Sequence, residues 1–250
     1  MVRVVLAGRL VAAVASVALL GGAVVGCGSG SAGGSGSGSA SGGAGVVVRT
    51  SPIADRLAEL PARVDGARIV VGSPDAPRTA EVLVDPMCGH CATFEEAGGE
   101  TLLKLATAGQ VKIEYLLASF LDGGGGGGGG GRSGSVKAVN ALRASVDAGK
   151  FAEYHAAVFA SQPKGKYTDE LLLKVADAVP GLRGAAFDGA VREQKYAGWV
   201  ADAEKGFEAT GAQGTPMVRV EGKPVGARDG SMFDAGAFAE TLKGVGIGGS

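Results

Sequence analysis

The chain has few of the side chains that bind transition metals, with three cysteines and two histidines in 250 residues. A structural zinc centre needs a second ligand pair besides Cys88 and Cys91, and only His155 remains beyond His90. A c-type haem would require a histidine directly after Cys91, where the chain has Ala92. Neither centre is expected. Copper or zinc bound by the cysteine pair and a histidine stays open as an alternative.

The chain also lacks an excess of charge of either sign, with a formal net charge of −1. Nucleic acid and anionic lipid are therefore not predicted as partners. A hydrophobic content of 46% is enough for one sizeable globular domain. Much of the glycine lies in two low-complexity stretches, residues 28–45 and 123–131, which do not contribute to a core.

The one long apolar run, residues 10–25, is shorter than the roughly 20 residues of a membrane span. Arg3 and Arg9 precede it and Cys27 follows it, which is the pattern of a signal peptide over residues 1–26. The end of this segment resembles a bacterial lipobox. That resemblance implies cleavage before Cys27, a lipid on its sulfur and anchoring to the outer face of the cytoplasmic membrane, in the cell envelope. An ordinary signal peptide or an uncleaved anchor is the alternative, and residues 27–45 are predicted to be a flexible tether.

Cys88 and Cys91 lie where an apolar strand, residues 80–84, is followed by a helical pattern over residues 92–108. A thiol in the first turn of a helix faces unpaired backbone N–H groups and the positive end of the helix dipole, which favour its thiolate. Cys88 is therefore the predicted nucleophile. Cys91 is one turn further on, within disulfide reach, so it can resolve a mixed disulfide. His90 adds a donor or a positive charge beside the Cys88 thiolate.

An inert structural disulfide is the alternative interpretation of this cysteine pair. A four-residue loop constrains the unfolded chain little, so such a bridge would contribute little stability. If Cys27 carries a lipid, no cysteine is left for any other structural bridge. A redox role for Cys88 and Cys91 is therefore favoured.

The other elements follow from hydrophobic periodicity and turn residues. Residues 46–122 are predicted to contain a helix at 51–60 and strands at 67–72, 80–84 and 111–117, with Gly98 and Gly99 interrupting the helix after the cysteines. Residues 123–134 are a glycine-rich loop. Segment 135–210 is predicted to contain helices at 136–148, 151–161, 169–178 and 196–209. Segment 211–250 is predicted to contain a hairpin, formed by a strand at 217–220 and a second strand at Val225, and a helix at 233–245. Thr168 is a predicted helix cap, and His155 is interpreted as a partly buried, hydrogen-bonded histidine.

This order resembles the thioredoxin fold in its DsbA-like form, over about residues 67–245. The resemblance depends on Cys88-Gly89-His90-Cys91 and on Thr215-Pro216, separated by mainly helical sequence. It implies an α/β fold with a helical insertion between a βαβ half and a C-terminal hairpin and helix. It also implies a nucleophilic Cys88, a resolving Cys91, a redox-active disulfide between them, a cis Pro216 beside that disulfide, and a Thr215 backbone that binds an extended substrate peptide.

One position departs from the family pattern. Relatives carry a buried carboxylate six residues before the first cysteine, where this chain has Val82. The nearest acids are Glu81 and Asp85. Neither is on the same face of the strand as Val82, because side chains alternate along a strand. Proton transfer at Cys91 is therefore expected to use water or Asp85.

The resemblance implies a thiol-disulfide oxidoreductase that needs no cofactor. The Gly89-His90 dipeptide is that of protein disulfide isomerase domains, for which a potential of about −180 mV is typical, against about −270 mV for thioredoxin. Residues 46–66 leave no room for the dimerisation domain of a periplasmic isomerase. A monomeric oxidase of exported cysteine-containing proteins is expected, reoxidised by a DsbB-like or vitamin K epoxide reductase-like membrane partner. A reductase or isomerase, a metal-handling lipoprotein and a non-catalytic binding lipoprotein are the alternatives.

Overall fold

The computed structural model describes residues 47–123 and 134–249. The predicted signal peptide, Cys27, the tether and nearly all of the nine-glycine run lie outside these residues. The strands are β1 Ala62–Asp65, β2 Arg68–Val71, β3 Thr79–Val84, β4 Lys112–Leu117, β5 Met217–Val220 and β6 Lys223–Pro224. The α-helices are α1 Ala54–Leu57, α2 Gly89–Phe94, α3 Glu100–Thr107, α4 Ser135–Asp147, α5 Phe151–Ala160, α6 Asp169–Ala176, α7 Ala185–Arg192, α8 Ala197–Ala209 and α9 Ala235–Gly244.

The six strands of the described residues form one mixed sheet in the order β1-β2-β4-β3-β5-β6. β3 and β4 are parallel, with Leu83 opposite Leu116, while β5 runs antiparallel to β3 with Met217 opposite Leu83. This central position explains why three consecutive residues of β3, Val82 to Val84, are all buried: both faces of the sheet are covered. The predicted parallel βαβ unit is confirmed.

Helix α8 covers one face of the sheet through Phe207, which packs against Leu83 and Leu116. The larger core lies on the other face and includes Phe94 of α2, Leu102 of α3 and Phe238 of α9. The cysteine-bearing helix α2 is thus fixed between the sheet and α9. The predicted α/β fold, with helices between its two sheet-forming parts, is confirmed.

The helix after the cysteines is interrupted where the sequence predicted it. A π-helical turn, Glu95–Gly99, separates α2 from α3. A Cβ atom on Gly98 would lie 2.5 Å from the carbonyl oxygen of Met232 and 2.8 Å from the ring of Phe94, so only glycine fits. The close approach of Met232 therefore explains the glycine at this turn.

The structure corrects several boundaries. α2 begins at Gly89, three residues earlier than predicted, and the second strand of the hairpin is β6 at Lys223–Pro224, after a turn at Glu221 and Gly222. β1 and α7 were not predicted at all. β1 alternates between half-buried and exposed residues and has no strong apolar pattern. α7 buries Phe187, Ala190 and Val191 at helical spacing, but Gly184 and Gly189 weaken its helical signal.

No helix of residues 47–123 or 134–249 combines the length and apolar character that crossing a membrane requires.

Candidate active site

The two cysteines lie at the start of α2, directly after the turn that follows β3. Cys88 is the N-cap residue, and its carbonyl oxygen accepts hydrogen bonds from the N–H groups of Cys91 at 3.0 Å and Ala92 at 3.2 Å. The Cys88 side chain makes no capping hydrogen bond, and the residue is half-buried, whereas Cys91 is fully buried. Both are free thiols in this structure. Cys88 is therefore the sulfur that an outside reactant can reach.

The two thiols have opposite acidities. The contact with the Cys91 thiol lowers the pKa of Cys88 to about 5, with further lowering by Thr215 and by the backbone N–H groups of Cys91 and His90, against the opposing effect of partial burial. Burial raises the pKa of Cys91 far above its ordinary value, and the neighbouring Cys88 thiolate raises it further. At neutral pH the reduced site therefore holds a Cys88 thiolate and a Cys91 thiol.

The Thr215-Pro216 segment lies directly beside Cys88. The peptide bond between Thr215 and Pro216 is cis, and the carbonyl oxygen of Thr215 is 3.4 Å from Cys88 Sγ. The antiparallel pairing of β5 with β3 brings this segment next to the end of β3. The Thr215 hydroxyl is buried and has no hydrogen-bond partner within the described residues, so it can donate to a Cys88 thiolate.

His90 is exposed, and its ring lies 6.2 Å from the ring of Phe233. The group of His90 that lowers the pKa of Cys88 is the backbone N–H, not the imidazole on which the sequence argument relied. Phe233 is 37% exposed, and Leu121, whose N–H is 3.2 Å from Asp85, is 41% exposed. Phe233 therefore lies beside the helix that carries the cysteines, and the main chain of Leu121 lies beside Asp85.

Asp85 is the ionisable side chain most closely built into this site. It is fully buried and accepts hydrogen bonds from the N–H of Met87 at 2.9 Å, the hydroxyl of Ser135 at 2.6 Å and the N–H of Leu121 at 3.2 Å. Burial raises the pKa of Asp85 to about 6, these hydrogen bonds lower it, and the neighbouring Cys88 thiolate raises it. The carboxyl can therefore exchange a proton near neutral pH.

The position of the family carboxylate, Val82, is fully buried. Glu81 lies on the opposite face of β3, where it pairs with Arg68 and with Arg219. Of the two acids near the cysteines that the sequence identified, only Asp85 contacts the active-site turn.

A second buried ionisable group lies one turn beyond Cys91, and the sequence did not predict it. Glu95 Oε1 is 3.2 Å from His155 Nε2, with side-chain exposures of 4% and 0%. The His155 ring packs against Tyr115 at 4.5 Å, Phe159 at 4.8 Å and Phe151 at 5.2 Å. The prediction of a partly buried, hydrogen-bonded His155 was wrong: it is fully buried beside Glu95, and neither of its ring nitrogens has a hydrogen-bond partner among the described residues.

Gln162 also escaped the sequence analysis, because a single glutamine after a helix carries no periodic or motif signal. Its Nε2 donates to the carbonyl oxygens of Pro86 at 2.7 Å and Cys88 at 3.1 Å. It therefore connects the helical segment to the active-site turn.

Among the described residues, no group of three or more histidine, cysteine, aspartate or glutamate side chains is arranged to hold a metal ion.

Comparison with known proteins agrees with this geometry. A thioredoxin family model matches residues 65–235, well over half of the chain. The chain belongs to the thioredoxin family. The match extends from β1 to the start of α9 and contains both the cysteine pair and the cis proline.

Several solved structures share the fold, among them two MdbA proteins that are thiol-disulfide oxidoreductases. The MdbA protein of Actinomyces oris superposes with a TM-score of 0.59 and 23% identity, over 72% of this chain and 86% of that one. For MdbA of Corynebacterium diphtheriae the values are 0.58 and 21%, over 77% and 98% of the two chains. Oxidised BdbD of Bacillus subtilis superposes with a TM-score of 0.57 and 21% identity, over 74% of this chain and 96% of that one.

One curated protein, a hydroxyurea phosphotransferase of Kitasatospora aureofaciens, is 75% identical over 32 residues. This segment is 13% of the present chain and 9% of that protein. So short a match carries no argument about activity.

Proposed function

We propose that this protein is a thiol-disulfide oxidoreductase that oxidises cysteine pairs in exported proteins outside the cytoplasmic membrane, through a Cys88–Cys91 disulfide. The observation that carries the proposal is the contrast between the two thiols: the pKa of Cys88 is lowered to about 5 and that of Cys91 is raised. A stabilised Cys88 thiolate favours the reduced form of the protein, and a disulfide whose reduced form is stabilised is an oxidant.

The reaction follows from the positions of the sulfurs. A client thiolate attacks Cys88 Sγ of the disulfide, so a mixed disulfide forms and Cys91 leaves as a thiolate, which takes up a proton. A second client thiolate then attacks the client sulfur of the mixed disulfide and releases Cys88 as a stable thiolate. Two electrons pass from the client dithiol to the protein, and the client gains a disulfide.

Asp85 is the proposed proton donor for Cys91. It is buried beside the active-site turn, and its pKa of about 6 allows it to lose and regain a proton near neutral pH. In this role Asp85 would replace the carboxylate that members of the family carry at the position of Val82.

Substrate binding is assigned to the main-chain segment before β5, beside Cys88. The Thr215 backbone precedes the cis proline and would pair with an extended client segment, as the family resemblance implies. The exposed rings of His90 and Phe233, and the exposed side chain of Leu121, offer apolar contacts to unfolded clients. An unfolded exported protein suits this surface, because its own apolar side chains are still accessible.

The remaining assignments rest on the sequence. Cys27 would carry the lipid that anchors the protein, as a monomer, to the outer face of the cytoplasmic membrane. A DsbB-like or vitamin K epoxide reductase-like membrane protein would reoxidise Cys88 and Cys91.

The decisive experiment is mixed-disulfide trapping with Cys91→Ser in the protein's own host. The proposal predicts that exported proteins become covalently attached to Cys88 and are released by dithiothreitol, since the resolving thiol is missing. Cys88→Ser is the matched control and should trap nothing. Absence of trapped proteins with Cys91→Ser would contradict the proposal.

The direction of electron flow is tested by equilibrium with glutathione. An oxidase gives a potential close to or above about −180 mV, and a reductase gives one near about −270 mV. A potential near about −270 mV would mean that the protein is a reductase and not an oxidase.

A further inference from the structure

The start of α2 is held in place by a side chain from outside the helix. Gln162 follows α5 by two residues, and its amide nitrogen donates to both the Pro86 carbonyl at 2.7 Å and the Cys88 carbonyl at 3.1 Å. The two carbonyls lie on either side of Met87. One amide group therefore fixes the main chain immediately before and at the reactive cysteine.

Two helices of the described residues, α6 and α9, are capped by their own N-cap side chains. The Thr168 hydroxyl accepts from Leu171 N–H at the start of α6, and the Asp234 carboxylate accepts from Ala237 N–H at the start of α9. Cys88 occupies the corresponding position of α2 but makes no such bond. Its sulfur is left available for chemistry, so the conformation of this turn needs another source of order.

We propose that Gln162 is a positioning residue for the reaction of Cys88. By holding the Cys88 carbonyl, it keeps the N–H groups of His90 and Cys91 directed at the sulfur and keeps Sγ beside Thr215. The role in catalysis rests on the proposed function, whereas the effect on Cys88 acidity can be measured without any substrate.

The effect of Gln162 on the pKa of Cys88 can be measured separately from any change in charge. The titratable side chains next to Cys88 are Asp85 at the end of β3 and His90 and Cys91 on α2. Thr215, on the segment before β5, has no charge. Gln162 is neutral, so replacing it by a neutral side chain of similar length changes the geometry of the turn and not its charge.

The test compares Gln162→Met with a matched control, in the reduced protein, with the thiolate absorbance of Cys88 followed against pH. Gln162→Met keeps the length but has no donor, and it should raise the pKa of Cys88 by about one unit. Gln194→Met is the control, because the Gln194 amide donates at 2.7 Å to Val191 in the same helical segment, and it should leave the pKa unchanged.

Two results would overturn the proposal. One is a folded Gln162→Met protein with an unchanged pKa of Cys88, even if its melting temperature falls, because that is the result of a purely structural role. The other is a pKa of Cys88 that rises in Gln194→Met as far as in Gln162→Met. Neither result bears on the proposed function, which instead fails if Cys91→Ser traps no client.

Discussion

Cys88 Sγ lies 3.4 Å from the carbonyl oxygen of Thr215, a residue 127 positions further along the chain. The contact exists because β5 pairs with β3, which ends just before the cysteines. The reactive sulfur and the backbone proposed to bind the substrate thus meet where β3 ends and β5 begins. A client peptide aligned along Thr215 would present its own sulfur to Cys88.

The reduced protein should become more stable as the pH rises from about 6.5 to 8.5. The pKa of Cys88 is about 5 in the folded state against 9.0 for an ordinary thiol. The stabilisation is fully present above pH 9 and is lost as the pH falls towards 5, with a slope of at most about 1.4 kcal/mol per pH unit. Urea unfolding of the reduced protein measures this slope.

The oxidised protein is the control for that measurement, because its Cys88 cannot titrate. The pKa of Asp85 is raised to about 6, so the stability linked to Asp85 is present below about pH 4 and is lost as the pH rises through 6, outside the chosen window. Equal slopes for the reduced and oxidised proteins would show that Cys88 has an ordinary pKa.

Asp85→Asn should slow client oxidation while leaving the pKa of Cys88 nearly unchanged. The variant removes the proposed proton donor of Cys91, with an expected loss of about 100-fold in rate at pH 7. The pKa of Cys88 should stay near 5, because Asp85, whose pKa is about 6, is mostly protonated and uncharged where Cys88 titrates. Stopped-flow oxidation of a reduced peptide and thiolate titration give the two values.

These two readouts separate proton transfer from loss of structure. A slow variant whose Cys88 pKa has risen would point to a disturbed turn and not to a missing proton donor. An unchanged rate would remove Asp85 from the mechanism.

Phe233→Ala should weaken the reaction with unfolded proteins more than the reaction with glutathione. Phe233 is exposed beside His90 and offers apolar contact to a protein client but little to a small tripeptide. We expect the ratio of the two second-order rate constants to fall about tenfold, with the effect of Leu121→Ala in the same direction. If both rate constants change equally in each variant, these side chains do not contact clients.

Breaking the buried pair of Glu95 and His155 should destabilise the fold. Glu95→Leu leaves His155 without its partner at full burial, and the loss of one member of a buried pair costs about 3 kcal/mol. The double variant, with leucine also at position 155, should cost less than the sum of the two single variants. Chemical denaturation of all four proteins gives this coupling, and strict additivity would show that the two side chains act independently.

The sequence predicted those parts of the fold that depend on strong local patterns. β3, β4 and β5 are short apolar runs, and Thr168 is a local cap, so each appeared close to its predicted place. The interruption at Gly98 was also predicted. β1 and α7 were missed because a half-exposed edge strand and a glycine-containing helix have weak patterns.

The site was predicted only where a motif marks it. Cys88 and Thr215 belong to two short motifs, and the structure brings them together. The contact of Gln162 with the Cys88 carbonyl and the pairing of Glu95 with His155 depend on how α5 packs against α2 and the turn after it. Such contacts follow from tertiary packing, and no local pattern predicts them.

The most direct test of the account is the pKa of Cys88, measured in the reduced protein from the pH dependence of its alkylation by iodoacetamide. A midpoint near pH 5 is expected, with Cys91 unreactive throughout the titration. A midpoint near pH 9, the value of an ordinary thiol, would contradict it.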